Sequence, residues 1–140
     1  MQEEQKEKIL RFIKAQKYAT LATSNKQGIP EAAMVAVSET ANLELIFGCF
    51  ADARKYKNLL ECPKVAVVVI QGKISLQYEG IAREVTGEDV GRLREIHITK
   101  HADSAKYLSH PAEKYFTITP VWVRYMDHEV KPNEDWEINL

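Results

Sequence analysis

The segment KVAVVVI at residues 64–70, followed by Gln71-Gly72 and then ISLQYEGIAREV at residues 74–85, constrains the fold more than any other part of this chain. A short β-branched run reads as a fully buried strand, and a tight Gln-Gly turn sends the chain back beside it, antiparallel. Gly80, inside the second strand, marks a bulge or a close approach of another backbone. Once such a hairpin forms, the rest of the chain must supply strands on either side of it.

It has them. YATLATS at 18–24 reads as a strand stopped by residues 25–28, and PEAAMVAVS at 30–38 returns beside it. In the second of these, Met34 and Ala36 point one way and Val35 and Val37 the other, so both faces are apolar, as in a barrel wall or under a subunit interface. LELIFG at 43–48 and YFTITPVWVRYM at 115–126 are further strands. Helices are expected at residues 3–16, at ADARKYKNLLE with Asp52 as N-cap and Pro63 beyond the end, and at EDVGRLREIHITK with Val90, Leu93 and Ile96 at helical spacing. Residues 101–114 read as an irregular or short helical link. The order predicts an α+β, mainly β fold: a six-stranded antiparallel barrel with peripheral helices, one domain over residues 1–140. A barrel this small fills its own interior, so a sizeable ligand sits in an outer groove or between subunits.

Composition narrows the partners. With 19 Lys+Arg against 20 Asp+Glu the net charge is −1, which gives no pull toward nucleic acid or anionic lipid. The length of 140 residues supports a core without disulfides or a structural metal. Cys49 and Cys62 have no CxxC spacing, and the start MQEEQKEK is unlike a signal peptide. No apolar run reaches membrane-spanning length, and a cytoplasmic location is the expectation.

FGCFADARKYKNL, residues 47–59, is the most informative stretch for chemistry. Arg54, Lys55 and Lys57 fall in the first turn of a helix, where the dipole makes each cation unfavourable by roughly 0.3–1 kcal/mol. An anion reverses that sign, because free N–H groups, an Arg fork and a Lys ammonium together cradle a phosphate. Solvated surface cations, one paired with Glu61 or Asp52, are an equal alternative from spacing alone.

Other residues carry weaker signals. His97 and His101 stand four apart on the third helix, a spacing that can hold a metal or haem iron, but no third ligand is evident and a surface helix is the favoured reading. No metal site is expected. His110 and His128 read as isolated polar surface, and Cys49 as a small buried residue rather than a nucleophile. Trp122 and Tyr125 read as core or interface aromatics, with Trp122 and Arg124 alternating faces with Val121 and Val123.

Read together, ATLATSNKQGIPEAAMVAV, LIFGCFADARKYKNLLECPKVAVVV and QYEGIAREV resemble the pyridoxamine 5′-phosphate oxidase-like superfamily of FMN-binding split β-barrels. The match runs in order over about residues 18–85, and its most specific part is Ala53-Arg54-Lys55, Asn58-Leu59 and Cys62-Pro63-Lys64-Val65-Ala66. The resemblance implies a homodimer with FMN in the interface. It implies that Arg54 and Lys55 hold the phosphate, that Phe47, Gly48 and Cys49 lie along the flavin ring, and that Met34 and Val35 offer backbone beneath it. It further implies that Ser75 and Gln77 approach from the partner subunit and that Trp122 is an interface aromatic.

The true oxidases usually carry Arg at the position of Ala33, Lys at that of Ser38 and Gln at that of Ser75, and end in an Arg-Leu-x-Pro type of tail where this chain reads DWEINL. The resemblance is therefore to a small member, not a true pyridoxamine phosphate oxidase. It implies an FMN-dependent oxidoreductase moving hydride or electrons between a reduced nicotinamide and a small acceptor, with no catalytic side chain named. The alternatives of the same fold are a flavin or haem carrier without turnover and a reductase using the deazaflavin F420.

Overall fold

The computed structural model describes residues 2–107 and 110–140. Its strands are β1 (Tyr18–Ser24), β2 (Pro30–Ala36), β3 (Ser38–Glu39), β4 (Leu45–Phe50), β5 (Lys64–Gln71), β6 (Ile74–Glu84), β7 (Glu113–Asp127) and β8 (Glu134–Asn139). The helices are α1 (Gln2–Lys14), α2 (Arg54–Glu61) and α3 (Asp89–Lys100), with a 3-10 helix at Ala102–Tyr107. Every ladder is antiparallel, in the order β2-β1-β5-β6-β7-β4-β3, with β8 added to β7. The expected antiparallel barrel with peripheral helices is thus present. Among the described residues the strand count is not six but eight.

Two strands account for the difference. The run expected as one strand at 30–38 divides at Val37: residues up to Ala36 pair with β1, and Ser38 and Glu39 pair with Ile46 and Leu45 of β4. One apolar stretch therefore turns the corner between the two lips of the split. The other addition is β8, where Ile138 is buried and Trp136 stacks on Tyr125 at 5.2 Å. The alternation Trp136, Ile138 was its signal in the sequence.

The core follows the period-two rule. Val65, Val67 and Val69 of β5 point inward with Leu76 and Tyr78 of β6 and Val123 of β7, and Ile9, Phe12 and Ile13 of α1 close one end of the barrel. The run 64–70 is not buried on both faces as its composition predicts. Ala66 is exposed, Val68 is half-buried and Ile70 is 60% exposed, because only one side of this sheet packs against the interior. Lys8 of α1 reaches Glu134 of β8 at 2.8 Å, tying the helix to the last strand. The ladder between β6 and β7 shifts register between Glu79 and Gly80, the bulge that the glycine predicts, and leaves Val121 as an extra, exposed residue opposite it.

Candidate functional site

The cationic turn forms as expected. α2 begins at Arg54 with no acid in its first turn, so Arg54, Lys55 and Lys57 stand at the positive end of its dipole. Its N-cap is Ala53, not Asp52, and no side chain caps it. The helix starts one residue later than Asp52 would require, which leaves first-turn donors open to an external acceptor. Asn58 anchors the helix from below, donating to Thr23 Oγ1 at 3.1 Å and Glu31 Oε2 at 3.3 Å. Arg54 approaches Glu31 at 3.6 Å, rather than Glu61 or Asp52, and its side chain is 82% exposed, so the pair is weak and the guanidinium is free to turn. Beside the turn lies a groove of about 430 Å³ lined in part by Pro30, Glu31, Arg54, Lys57 and Asn58. An uncapped helix start carrying three cations fits a phosphate group.

β4 runs into this turn. Phe47 and Cys49 point into the core, Phe47 stacked on Phe116 at 5.5 Å, so both can offer a ligand only backbone. Burial pushes the Cys49 thiol up to about 11, against the opposing charge of Lys55, so it stays protonated and is no nucleophile. Gly48 lies between them on the other face, where a β-carbon would sit 2.5 Å from Glu113 Oε1. Nothing in the sequence links Glu113 to Gly48. Their proximity comes from the pairing of β4 with β7.

Met34, Ser75, Gln77 and Trp122 belong to a second surface, the outer face of the sheet. One row across it runs Met34, Thr20, Val68, Gln77, Arg124, and the next runs Ala32, Ala22, Ala66, Glu79, Trp122. Ser75 lies in register with Ile70 and Met126. Met34 and Gln77 are three strand spacings apart, about 14 Å. Val35 faces the opposite way and is buried. This outer face is open and carries exposed apolar side chains among polar ones: Met34 is 70% exposed, Ile70 60% and Val121 46%. A shallow hollow of about 160 Å³ on it is walled by Thr20, Val68, Gln77 and Trp122, among others.

His97 and His101 are not on a surface helix. Both are buried where α3 packs on β3. His97 Nδ1 shares a hydrogen bond with Ser38 Oγ at 2.8 Å, and His101 Nε2–H donates to the Val37 carbonyl at 2.8 Å. The rings are 4.8 Å apart, with Tyr18 and Tyr115 against them and Lys100 held nearby by Glu39 at 2.6 Å. Among the described residues no group of three His, Cys, Asp or Glu could hold a metal. Burial, then the neighbouring His101 and Lys100, lowers the His97 pKa from 6.5 to about 4.

This neutral imidazole makes stability pH-dependent. Between about pH 6.5 and about pH 4 the unfolded chain binds a proton that folded His97 refuses, so stability present above pH 6.5 is lost as the pH falls. The loss is up to about 3 kcal/mol. Urea unfolding at pH 7 and pH 4.5 measures it, and His97→Gln is expected to flatten the difference relative to the parent chain.

The family described as pyridoxamine 5′-phosphate oxidase matches residues 5–127. No curated protein sequence is significantly similar to the chain. Solved structures are similar in fold at low identity. A protein from Clostridium acetobutylicum, related to general stress protein 26 of B. subtilis and assigned to the pyridoxinephosphate oxidase family, shares 13% identity with a TM-score of 0.77, covering 99% of this chain and 96% of that one. A pyridoxamine 5′-phosphate oxidase-related, FMN-binding protein from Nostoc punctiforme shares 13% identity with a TM-score of 0.69, covering 97% and 85%. A heme-binding protein from Mycobacterium smegmatis shares 18% identity with a TM-score of 0.78, covering 93% of this chain, which spans only 56% of that protein. Among the described residues no helix is long and apolar enough to cross a membrane. The family match extends over most of the chain and coincides with the observed barrel, so the protein belongs to the pyridoxamine 5′-phosphate oxidase-like family of split β-barrels.

Proposed function

We propose that this protein is a cytoplasmic, homodimeric FMN-binding flavoprotein, and an oxidoreductase that moves hydride or electrons between a reduced nicotinamide and a small acceptor. The observation that carries the reading is the uncapped first turn of α2, with Arg54 and Lys55 at its start and no acid within that turn. When bound, FMN supplies the redox chemistry. The chain's own groups hold and orient it: Arg54 and Lys55 pair with the phosphate, and the backbone of Phe47, Gly48, Cys49, Met34 and Val35 lies along the ring. Ser75, Gln77 and Trp122 serve the site of the other subunit, which accounts for the 14 Å between Met34 and Gln77 within one protomer.

A second copy is the natural cover for the outer face, on which Met34, Ile70 and Val121 are exposed apolar side chains. Ala66→Arg, placed at the centre of this face, is expected to convert a dimer to a monomer in sedimentation velocity and to weaken FMN by more than about tenfold, because buried charge opposes association. A chain that stays dimeric with Arg at position 66 rejects this interface.

The purified protein is expected to show the visible absorption of oxidised flavin, or to acquire it with added FMN. A colourless protein that binds no FMN overturns the reading. A haem spectrum would instead favour a carrier, but with a ligand other than His97 and His101, since both rings are buried where α3 packs on β3. Oxidation of NAD(P)H by the flavin-loaded protein with a panel of acceptors tests turnover.

A further inference from the structure

We propose that the cavity between the end of β6, the start of β7 and α3 binds a small organic carboxylate, held by Arg94, Lys114 and the Tyr115 hydroxyl. The cavity measures about 300 Å³, enough for a molecule of roughly benzoate size, and Val85 and Val90 supply apolar wall.

Three observations converge on it. Tyr115 is 4% exposed and its hydroxyl is buried with no hydrogen-bond partner. Tyr115 itself lines the cavity, as do Glu113 and Arg94, the charged groups whose fields reach that hydroxyl. Such a group costs free energy until something accepts from it. Arg94 and Lys114 also line the cavity, and neither takes part in an ion pair among the described residues.

The two acids at the rim do not cancel these cations for a ligand. Glu84 accepts from the Tyr56 hydroxyl at 2.6 Å and is turned toward α2. Glu113 folds over Gly48, with its carboxyl directed at that backbone and its pKa pushed upward by burial. What remains open is an Arg fork, an ammonium and a phenol donor, the set that recognises a carboxylate. The site is separate from the α2 turn and does not depend on flavin.

Calorimetric titration of the full chain with benzoate, beside benzamide as the uncharged isostere, tests the proposal. Benzoate is expected to bind and benzamide to bind at least about tenfold more weakly. Y115F and R94Q are each expected to cost at least about tenfold in benzoate affinity. Y115F, which removes a hydroxyl without a partner, is expected to melt no lower than the parent, so its loss of binding is not a loss of fold. Methyl NMR shifts are expected at Val85 and Val90. Failure of benzoate to bind, equal binding by Y115F and R94Q, or loss of binding in R54A/K55A but not in R94Q overturns the proposal; the last outcome would put the anion on α2.

Discussion

Replacing Arg54 and Lys55 together by Ala is expected to weaken FMN binding by roughly 100- to 1,000-fold while changing riboflavin affinity less than about threefold. Each charge-assisted contact to a phosphate contributes about 1.5–3 kcal/mol, and two of them at the lower end amount to about 3 kcal/mol, or more than 100-fold in a dissociation constant. Riboflavin has the same ring and no phosphate, so it samples only the remaining contacts. The fold should survive, because the two cations oppose the α2 dipole and the only ion pair between them and the rest of the described chain is the exposed one to Glu31. Fluorescence quenching of both ligands measures the pair of affinities. Equal losses for FMN and riboflavin would remove the phosphate from this turn and with it the main support for the proposed function.

The second large effect concerns the fold. Gly80→Ala is expected to destabilise the protein by about 2–4 kcal/mol, in the upper range for a single substitution. A β-carbon there would lie 2.5 Å from the Thr119 carbonyl oxygen and 2.6 Å from Ile118 Cγ2, and the carbonyl belongs to the neighbouring strand, so it cannot swing aside as a side-chain end could. Gly91 is the internal comparison. It sits within α3 with nothing inside 4 Å of an added β-carbon, so Gly91→Ala is expected to stabilise by about 0.5–1 kcal/mol through the cost of glycine in a helix. Urea unfolding of the two variants gives opposite signs if the bulge, rather than glycine content, matters. Similar small effects at both positions would mean that the β6–β7 ladder relaxes around an alanine at 80.

Hydrophobic periodicity, turn residues and charge position carried much of this in the sequence itself. The hairpin at 64–85 was legible because a β-branched run, a Gly turn and a second long strand satisfy one another locally, and Gly80 announced its own bulge. The cationic start of α2 was legible because helix start and charge are both local. The family resemblance rested on those residues together with the hairpin segment at 19–37, and the family match extends beyond them to residues 5–127.

Tertiary structure decided the rest, for reasons of partner choice. Periodicity cannot say which neighbour takes a strand's hydrogen bonds, so a single apolar stretch became β2 and β3 on opposite lips of the split. Nor can it say which apolar face is covered: Val68 and Ile70 look as buried as Val67 and Val69, yet they lie on the outer face of the sheet. His97 and His101 read as helix surface until β3 was brought against them, because Ser38 and the Val37 carbonyl that satisfy them lie about sixty residues away. The Tyr115 cavity is of the same kind: its cations, phenol and apolar wall come from β6, α3 and β7, and only the sheet order brings them together.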